Sequence, residues 1–397
     1  MSKSNDKDDL TKLAHAGRDP GRFSGAVNVP VHRASTILFD SRAAMASAGA
    51  KPYGSPYYGR RGTPTQFGLQ EAMAELEGGF RTILAPAGLS AVTLSILAFV
   101  EAGDHVLMND NVYEPARKFC DNFLTRMGVT TSYYDPTIGA GVGDLVTART
   151  KLVFTESPGS LTFEVQDIPA IARAAHAKGA LVVMDNTWAT PFFFKPFDHG
   201  VDVAVVAGTK YIVGHADAML GLVTVAREEL WDPVFKTHAL LGLATSPDDA
   251  YLGARGLRTL GTRLKQHHAS GLEVARWLEA RPEVARVIHP GLESHPQHDL
   301  WARDFTGASG LFAFELKQAG PRALSAMLDD MQLFGMGYSW GGFESLLIPT
   351  DPAPSRTAVP YEGGPMMRIH VGLEAPDDLI QDLEAGFARL TAALDQS

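Results

Sequence analysis

Through the middle of the chain, short apolar runs alternate with one-sided helical patterns. Leu152-Val153-Phe154 reads as a strand, a helix follows around Ile168 to Lys178 and stops at Gly179, and two more apolar runs come next, Leu181-Val182-Val183-Met184 and Val203-Ala204-Val205-Val206. A glycine ends a helix readily because it enters the left-handed region without a Cβ penalty. Strands separated by helices call for crossover connections rather than hairpins, so the alternation predicts an α/β domain with a mainly parallel sheet over residues 61–255. Helical Val92 to Val100 and strand-like Val106-Leu107-Met108 belong to the same series.

Beyond residue 256 the pattern changes. A helical stretch passes through Leu264, Leu272, Val274 and Trp277, and strand-like segments follow at 310–316 and 367–371. Finally Leu379, Ile380, Leu383, Phe387, Leu390 and Leu394 form an apolar stripe of helical period, entered through Pro376-Asp377-Asp378. Proline suits the first helical position, and carboxylates near it meet the positive end of the helix dipole. Residues 256–397 are therefore expected to form a smaller α+β domain. Residues 1–60, rich in Gly, Pro, Ser and Tyr and without sustained periodicity, read as an N-terminal arm.

Composition narrows the function. With 397 residues, 45% hydrophobic and 20% charged, the chain has material for a large core and is not a disordered type. A net charge of −10 with scattered Lys and Arg argues against nucleic acid as a partner. The polar start, Met1 to Asp9, and the lack of any long apolar run predict a cytoplasmic protein with no membrane partner. Cys120 is the sole cysteine, which rules out an internal disulfide and reads as a small core residue. His267-His268 and His295-Pro296-Gln297-His298 lack metal-ligand spacing, so solvated or structural roles are expected and no metal site.

Two strand ends carry the chemistry. Leu181 to Met184 runs into Asp185, and the 203–206 run leads into Ala207-Gly208-Thr209-Lys210. In an open parallel sheet both lie at carboxyl ends of strands, where such sheets bind ligands. Singly, Lys210 fits a solvated loop lysine and Asp185 a helix cap. Together they suit pyridoxal phosphate, since a lysine amine can form an imine with its aldehyde while an acid keeps the pyridine nitrogen protonated. That charge-assisted contact is worth roughly 1.5–3 kcal/mol. Gly88 and Leu89, ahead of the helical Val92 to Val100, offer amides for the phosphate or simply form a turn, and Thr209 adds a hydroxyl. Tyr58 and Arg60 in the arm offer a phenol and a fork for phosphate or carboxylate, unless they are merely solvated. Tyr113 can lie over a cofactor ring or on a surface turn; Arg368, mid-strand among Met366, Met367 and Ile369, calls for an anion such as an α-carboxylate. Tyr338-Ser339-Trp340-Gly341-Gly342 places an indole where a pocket wall or a core turn would have it.

Several stretches are recognisable: Tyr58-Gly59-Arg60-Arg61-Gly62-Thr63, Glu156-Ser157-Pro158-Gly159, Asp185-Asn186-Thr187-Trp188, Thr209-Lys210-Tyr211, the segment 339–345 and Arg368-Ile369-His370-Val371-Gly372-Leu373-Glu374. The chain resembles the cysteine and methionine metabolism family of pyridoxal phosphate enzymes from about Leu13 to its end, and within it the bacterial cystathionine β-lyases. The resemblance implies the fold-type I, aspartate aminotransferase-like architecture. By that resemblance Lys210 is the imine-forming lysine, Asp185 pairs with the pyridine nitrogen, and Tyr113 stacks on the ring. Gly88, Leu89 and Thr209 bind the phosphate, and Tyr58 and Arg60 reach the phosphate of a neighbouring subunit in a homotetramer. Arg368 binds the substrate carboxylate with the Ser339 backbone, Tyr338 and Trp340 line the substrate pocket, and Tyr58 or Arg60 serves the distal carboxylate. Two positions depart from the common pattern, Ala207 where many members have serine and Leu89 where many have methionine.

The activity so implied is α,β-elimination of L-cystathionine, or a related thioether amino acid, to homocysteine, pyruvate and ammonia. Trp340 is the ground for β over γ chemistry, because γ-acting relatives usually carry a smaller residue there. Cystathionine γ-lyase, a γ-synthase and a broad cysteine-S-conjugate β-lyase are the enzymatic alternatives. A regulatory or binding protein that retains the fold is the alternative outside catalysis.

Overall fold

A computed structural model describes residues 7–50 and 54–395; Met1 to Asp6 of the polar start lie outside this range. The apolar runs form a seven-stranded sheet from β1 (Arg81–Ala85), β2 (His105–Asn109), β3 (Thr130–Tyr134), β4 (Thr150–Glu156), β5 (Leu181–Asp185), β6 (Val203–Val206) and β7 (Gly221–Val225). Its order is β1-β7-β6-β5-β4-β2-β3, and only β7 runs against the rest. The central strands read as unbroken apolar runs because helices cover both faces and leave no side for polar residues. From β4 the order runs through β5 to β6 on one side, whereas β2 and β3 lie on the other. This reversal opens a crevice at the carboxyl ends of β2 and β4.

A second sheet joins β8 (Val284–Ile288), β9 (Leu311–Leu316), β10 (Leu346–Thr350) and β11 (Met366–His370), antiparallel in the order β10-β11-β9-β8. Strand alternation decides what each face does. Met367 and Ile369 of β11, with Phe312 and Phe314 of β9, pack under the helices Leu260–Glu279 and Pro376–Leu394. Arg368 and His370 therefore point the other way, toward the first sheet; Arg368 pairs with Ala313, which belongs to the first sheet's core. The last helix begins with Pro376 at its first position and Asp377 and Asp378 in its first turn, as its sequence predicts.

Among the described residues up to 60, α-helix is confined to Asp9–His15 and Arg42–Ala50. The first of these is docked: Leu13 is buried, and Arg258 donates to the carbonyls of Leu13 and Ala16 at 2.7 and 2.9 Å. Cys120 is buried in the π-helical turn Phe119–Leu124, and burial pushes its thiol up to about 12. Among the described residues no helix is long and apolar enough to cross a membrane.

A buried ionic knot ties the C-terminal region to β2. Asp110 accepts the amides of Thr357, Ala358 and Val359 at 2.9–3.0 Å, and takes Arg117 at 2.6 Å and Arg356 at 3.2 Å. Burial alone would raise its pKa, but the three amides and Arg117 hold it below the ordinary carboxylate value. Arg356 also donates to Glu164 and Thr162, both at 2.8 Å. Removing one member of such a knot strands the others without water. Asp110→Ala is accordingly expected to lower folding stability by about 3–5 kcal/mol, measured by urea unfolding.

Candidate active site

Four strands deliver one polar residue each to the crevice. Tyr113 follows β2 as the cap of the helix Glu114–Lys118, Glu156 ends β4, Asp185 ends β5, and β6 leads into Lys210. The second sheet faces them with Arg368 on β11 and with Tyr338, Ser339 and Trp340 ahead of β10.

Lys210 is the centre of the group. Its Nζ donates to Ser339 Oγ at 2.5 Å and lies 5.2 Å from the centroid of the Trp340 ring. Burial removes water from the ammonium, and the Arg368 charge repels its proton; together they lower the pKa to about 8 against the pull of Asp185. Asp185 accepts the Thr187 amide at 2.9 Å, and burial raises its pKa while Thr187 and Lys210 oppose. The Thr187 hydroxyl accepts the Ala207 amide at 2.8 Å, so one threonine fixes the β5 end against the loop that carries Lys210.

Glu156 stands in register with Asp185 and accepts the Tyr113 amide at 2.7 Å. Its burial, with Asp185 alongside, pushes its pKa well above the ordinary value. Two carboxylates at neighbouring strand ends do not ionise together cheaply. No role fell to Glu156 in the sequence, although it too closes an apolar strand run. The signal was there: two neighbouring parallel strands each end in an acid. The Tyr113 hydroxyl has a raised pKa, from its partial burial first and then from Glu156 and Asp185.

Arg368 donates to the carbonyls of Ser339 at 3.2 Å and Gly337 at 3.4 Å. Burial lowers its pKa, opposed by Tyr113 and Tyr338. Its hydrogen-bond partners among the described residues are neutral, which leaves the guanidinium fork ready for an anion. Tyr338 is 93% exposed at the mouth, while Trp340 is half-buried with its ring 5.5 Å from that of Tyr211. Thr209, Tyr338, Ser339 and Trp340 line one cleft.

The residues present fit pyridoxal phosphate. A Cβ on Gly88 would come within 2.5 Å of the Ala207 Cβ, so the helix Gly88–Leu97 presses its amino end directly against the loop before Lys210. Amides at such an end are free for a dianion. Leu89 follows, partly exposed. The Thr209 hydroxyl accepts the Leu220 amide at 2.9 Å and donates to the Leu220 carbonyl at 3.2 Å, so it braces the loop. Tyr58 and Arg60 are not brought to Lys210 within the chain. Arg60 donates to the Ala239 carbonyl at 3.1 Å, lies 5.9 Å from the Tyr58 ring centroid, and lines a separate cavity with Phe235 and Thr245.

The two-sheet architecture and this cleft define the class, a fold-type I pyridoxal phosphate enzyme. The family described as Cys/Met metabolism PLP-dependent enzyme matches residues 10–388, and the chain belongs to it. It is 50% identical to a putative cystathionine β-lyase of Rhizobium johnstonii, over 98% of this chain and 99% of that protein. It is 48% identical to the cystathionine β-lyase of Escherichia coli, over 96% and 98%. A crystal structure of cystathionine γ-synthase from Xanthomonas oryzae, in complex with aminoacrylate and cysteine, superposes with a TM-score of 0.89 at 32% identity, covering 98% of this chain and 99% of that one.

Two outcomes test the site. Gly88→Ala is expected to weaken cofactor retention about tenfold, because the added methyl must move the Lys210 loop; equilibrium dialysis followed by absorbance measures this. Capture of the cofactor by the cofactor-free protein is expected to speed up as pH rises and to level off above about 8, since only the unprotonated Lys210 amine reacts. An ordinary lysine would go on accelerating toward about 10.4. Stopped-flow absorbance against pH distinguishes the two.

Proposed function

We propose that the protein is a carbon–sulfur β-lyase that converts L-cystathionine to homocysteine, pyruvate and ammonia. The observation that carries this reading is the setting of Lys210: an amine with a pKa near 8, tethered to Ser339 and walled by Trp340, beside an arginine whose partners are neutral. Such an amine can take a proton from carbon at neutral pH and give it back. Arg368 holds the substrate α-carboxylate, and the Ser339 carbonyl restrains its swing, so that the Cα–H bond faces Nζ.

Gly88, Leu89 and Thr209 hold the phosphate of the cofactor, Thr209 by exchanging the Leu220 carbonyl for a phosphate oxygen. Asp185 would pair with the pyridine nitrogen and Tyr113 would lie against the ring, while Glu156 fixes the Tyr113 backbone by accepting its amide. Bound pyridoxal phosphate supplies an electron sink for the carbanion formed at Cα. Lys210 takes the Cα proton and passes it to the sulfur as the Cβ–S bond breaks, and the remaining three-carbon fragment takes up water to become pyruvate and ammonia. Gamma chemistry would need the lysine to reach a second proton, on Cβ. The tether to Ser339 and the indole wall favour a short stroke, and so the β bond.

In this reading residues 61–255 form the cofactor domain and 256–397 the C-terminal domain of a cytoplasmic homotetramer. The position of Tyr58 and Arg60, away from Lys210 of their own chain, supports their service to the phosphate and distal carboxylate of a neighbouring subunit. The test is keto-acid identification with L-cystathionine. Wild type is expected to release pyruvate and Lys210→Ala to be slower by about 10²–10⁴-fold. Release of 2-oxobutyrate would move the reading to γ-elimination, and a Lys210→Ala variant at the normal rate would sink it.

A further inference from the structure

The segment 337–342 does more than line the pocket. Ser339 and Gly341 both adopt positive φ, +76° and +86°, a conformation that a serine takes only when surroundings enforce it. The direction of a Gly341 Cβ points at the Lys210 carbonyl carbon and the Tyr211 nitrogen, each 3.0 Å away, so the segment lies flat on the backbone of the lysine loop. Its first half is gripped by Arg368 through the carbonyls of Gly337 and Ser339. Its second half is gripped by His370, two residues along the same strand and hence on the same face.

We propose that His370 is a positioning residue: its Nε2 holds the Gly341–Gly342 backbone and thereby seats Ser339 against Lys210 and Arg368. The Nε2 atom lies 3.2 Å from both the Gly341 nitrogen and the Gly342 oxygen. Nε2 either accepts the Gly341 amide, with the ring proton on Nδ1, or carries the proton and donates to the Gly342 carbonyl; either contact fixes the segment, and Nδ1 has no partner among the described residues. His370 is kept neutral by burial first and by His267 second, which lower its pKa to about 3. The rings of Tyr211 and His267, at 5.9 and 5.4 Å, enclose it.

The consequence is a division of labour on β11: Arg368 meets the substrate carboxylate, and His370 fixes the segment whose carbonyl aims that arginine. This rests on the reading of Arg368 as the carboxylate anchor. Three variants of the holoenzyme separate positioning from mere packing. His370→Phe fills the same space without a hydrogen-bonding atom, His370→Leu does so with less bulk should the first fail to fold, and His370→Gln keeps an amide near Nε2 that can accept or donate.

The readouts are KM and kcat for L-cystathionine and the dissociation constant of unreactive L-alanine, taken from the visible band of the bound cofactor. The apolar variants are expected to raise KM and the L-alanine constant about tenfold with a smaller change in kcat, and Gln to stay within about threefold of wild type. Apolar variants that match wild type, or a Gln variant as weak as they are, would overturn the proposal. The L-alanine constant does not depend on which bond is broken. A wild-type enzyme that yields no pyruvate therefore refutes the lyase reading and leaves the His370 comparison intact.

Discussion

Lys210 is a cation held where cations are costly. Its amine is removed from water, set beside a second cation in Arg368, and balanced by one buried carboxylate, Asp185. Desolvation and like-charge repulsion push in the same direction, and the single acid returns only part of what they take. The rest of the crevice follows from that imbalance. Asp185 must be fixed, which Thr187 does by linking β5 to the lysine loop. The amine needs a neutral resting partner, which Ser339 supplies. Burial and the nearby Asp185 both disfavour a second negative charge on the neighbouring Glu156.

The site is divided between two sheets with different rules. The parallel sheet brings its functional residues to strand ends, because its strands are covered on both faces and only their termini meet solvent. The antiparallel sheet brings Arg368 and His370 from within a strand, because alternation gives β11 one face for its own core and one for the crevice. The acids and Lys210 come from the first sheet, and the second adds Arg368 opposite them. Their mutual placement depends on the knot around Asp110, where a carboxylate from the β2 end holds the backbone of residues 357–359.

Beyond the knot around Asp110, two further uses of arginine stand out in this acidic chain. Half-buried Arg258 and buried Arg263 donate to backbone carbonyls, the latter to Tyr211 at 2.7 Å and Gly256 at 2.7 Å, and loss of water lowers both to about 10. They act as rivets for the docked first helix and for the segment after Lys210. Arg368 differs in holding only weakly placed carbonyls and in facing the crevice. The same contrast applies to histidine: His267 donates to Val371 inside the core, whereas His370 supports the segment that carries Ser339.

The alternation of apolar runs and helical stripes determined by itself the parallel sheet, the α+β end and the position of Lys210 and Asp185 at strand termini. These features are local: periodicity and glycine or proline punctuation follow from the backbone geometry of each segment. Glu156 was equally legible by the same rule and was passed over. What only the tertiary structure decided was company. That Ser339, 129 positions from Lys210, holds its amine, that His370 meets Gly341, and that Arg60 stays away from the lysine of its own chain are facts of packing between distant segments. No spacing in the chain encodes them, because they arise where two separately folded sheets are brought face to face and must satisfy each other's buried polar groups.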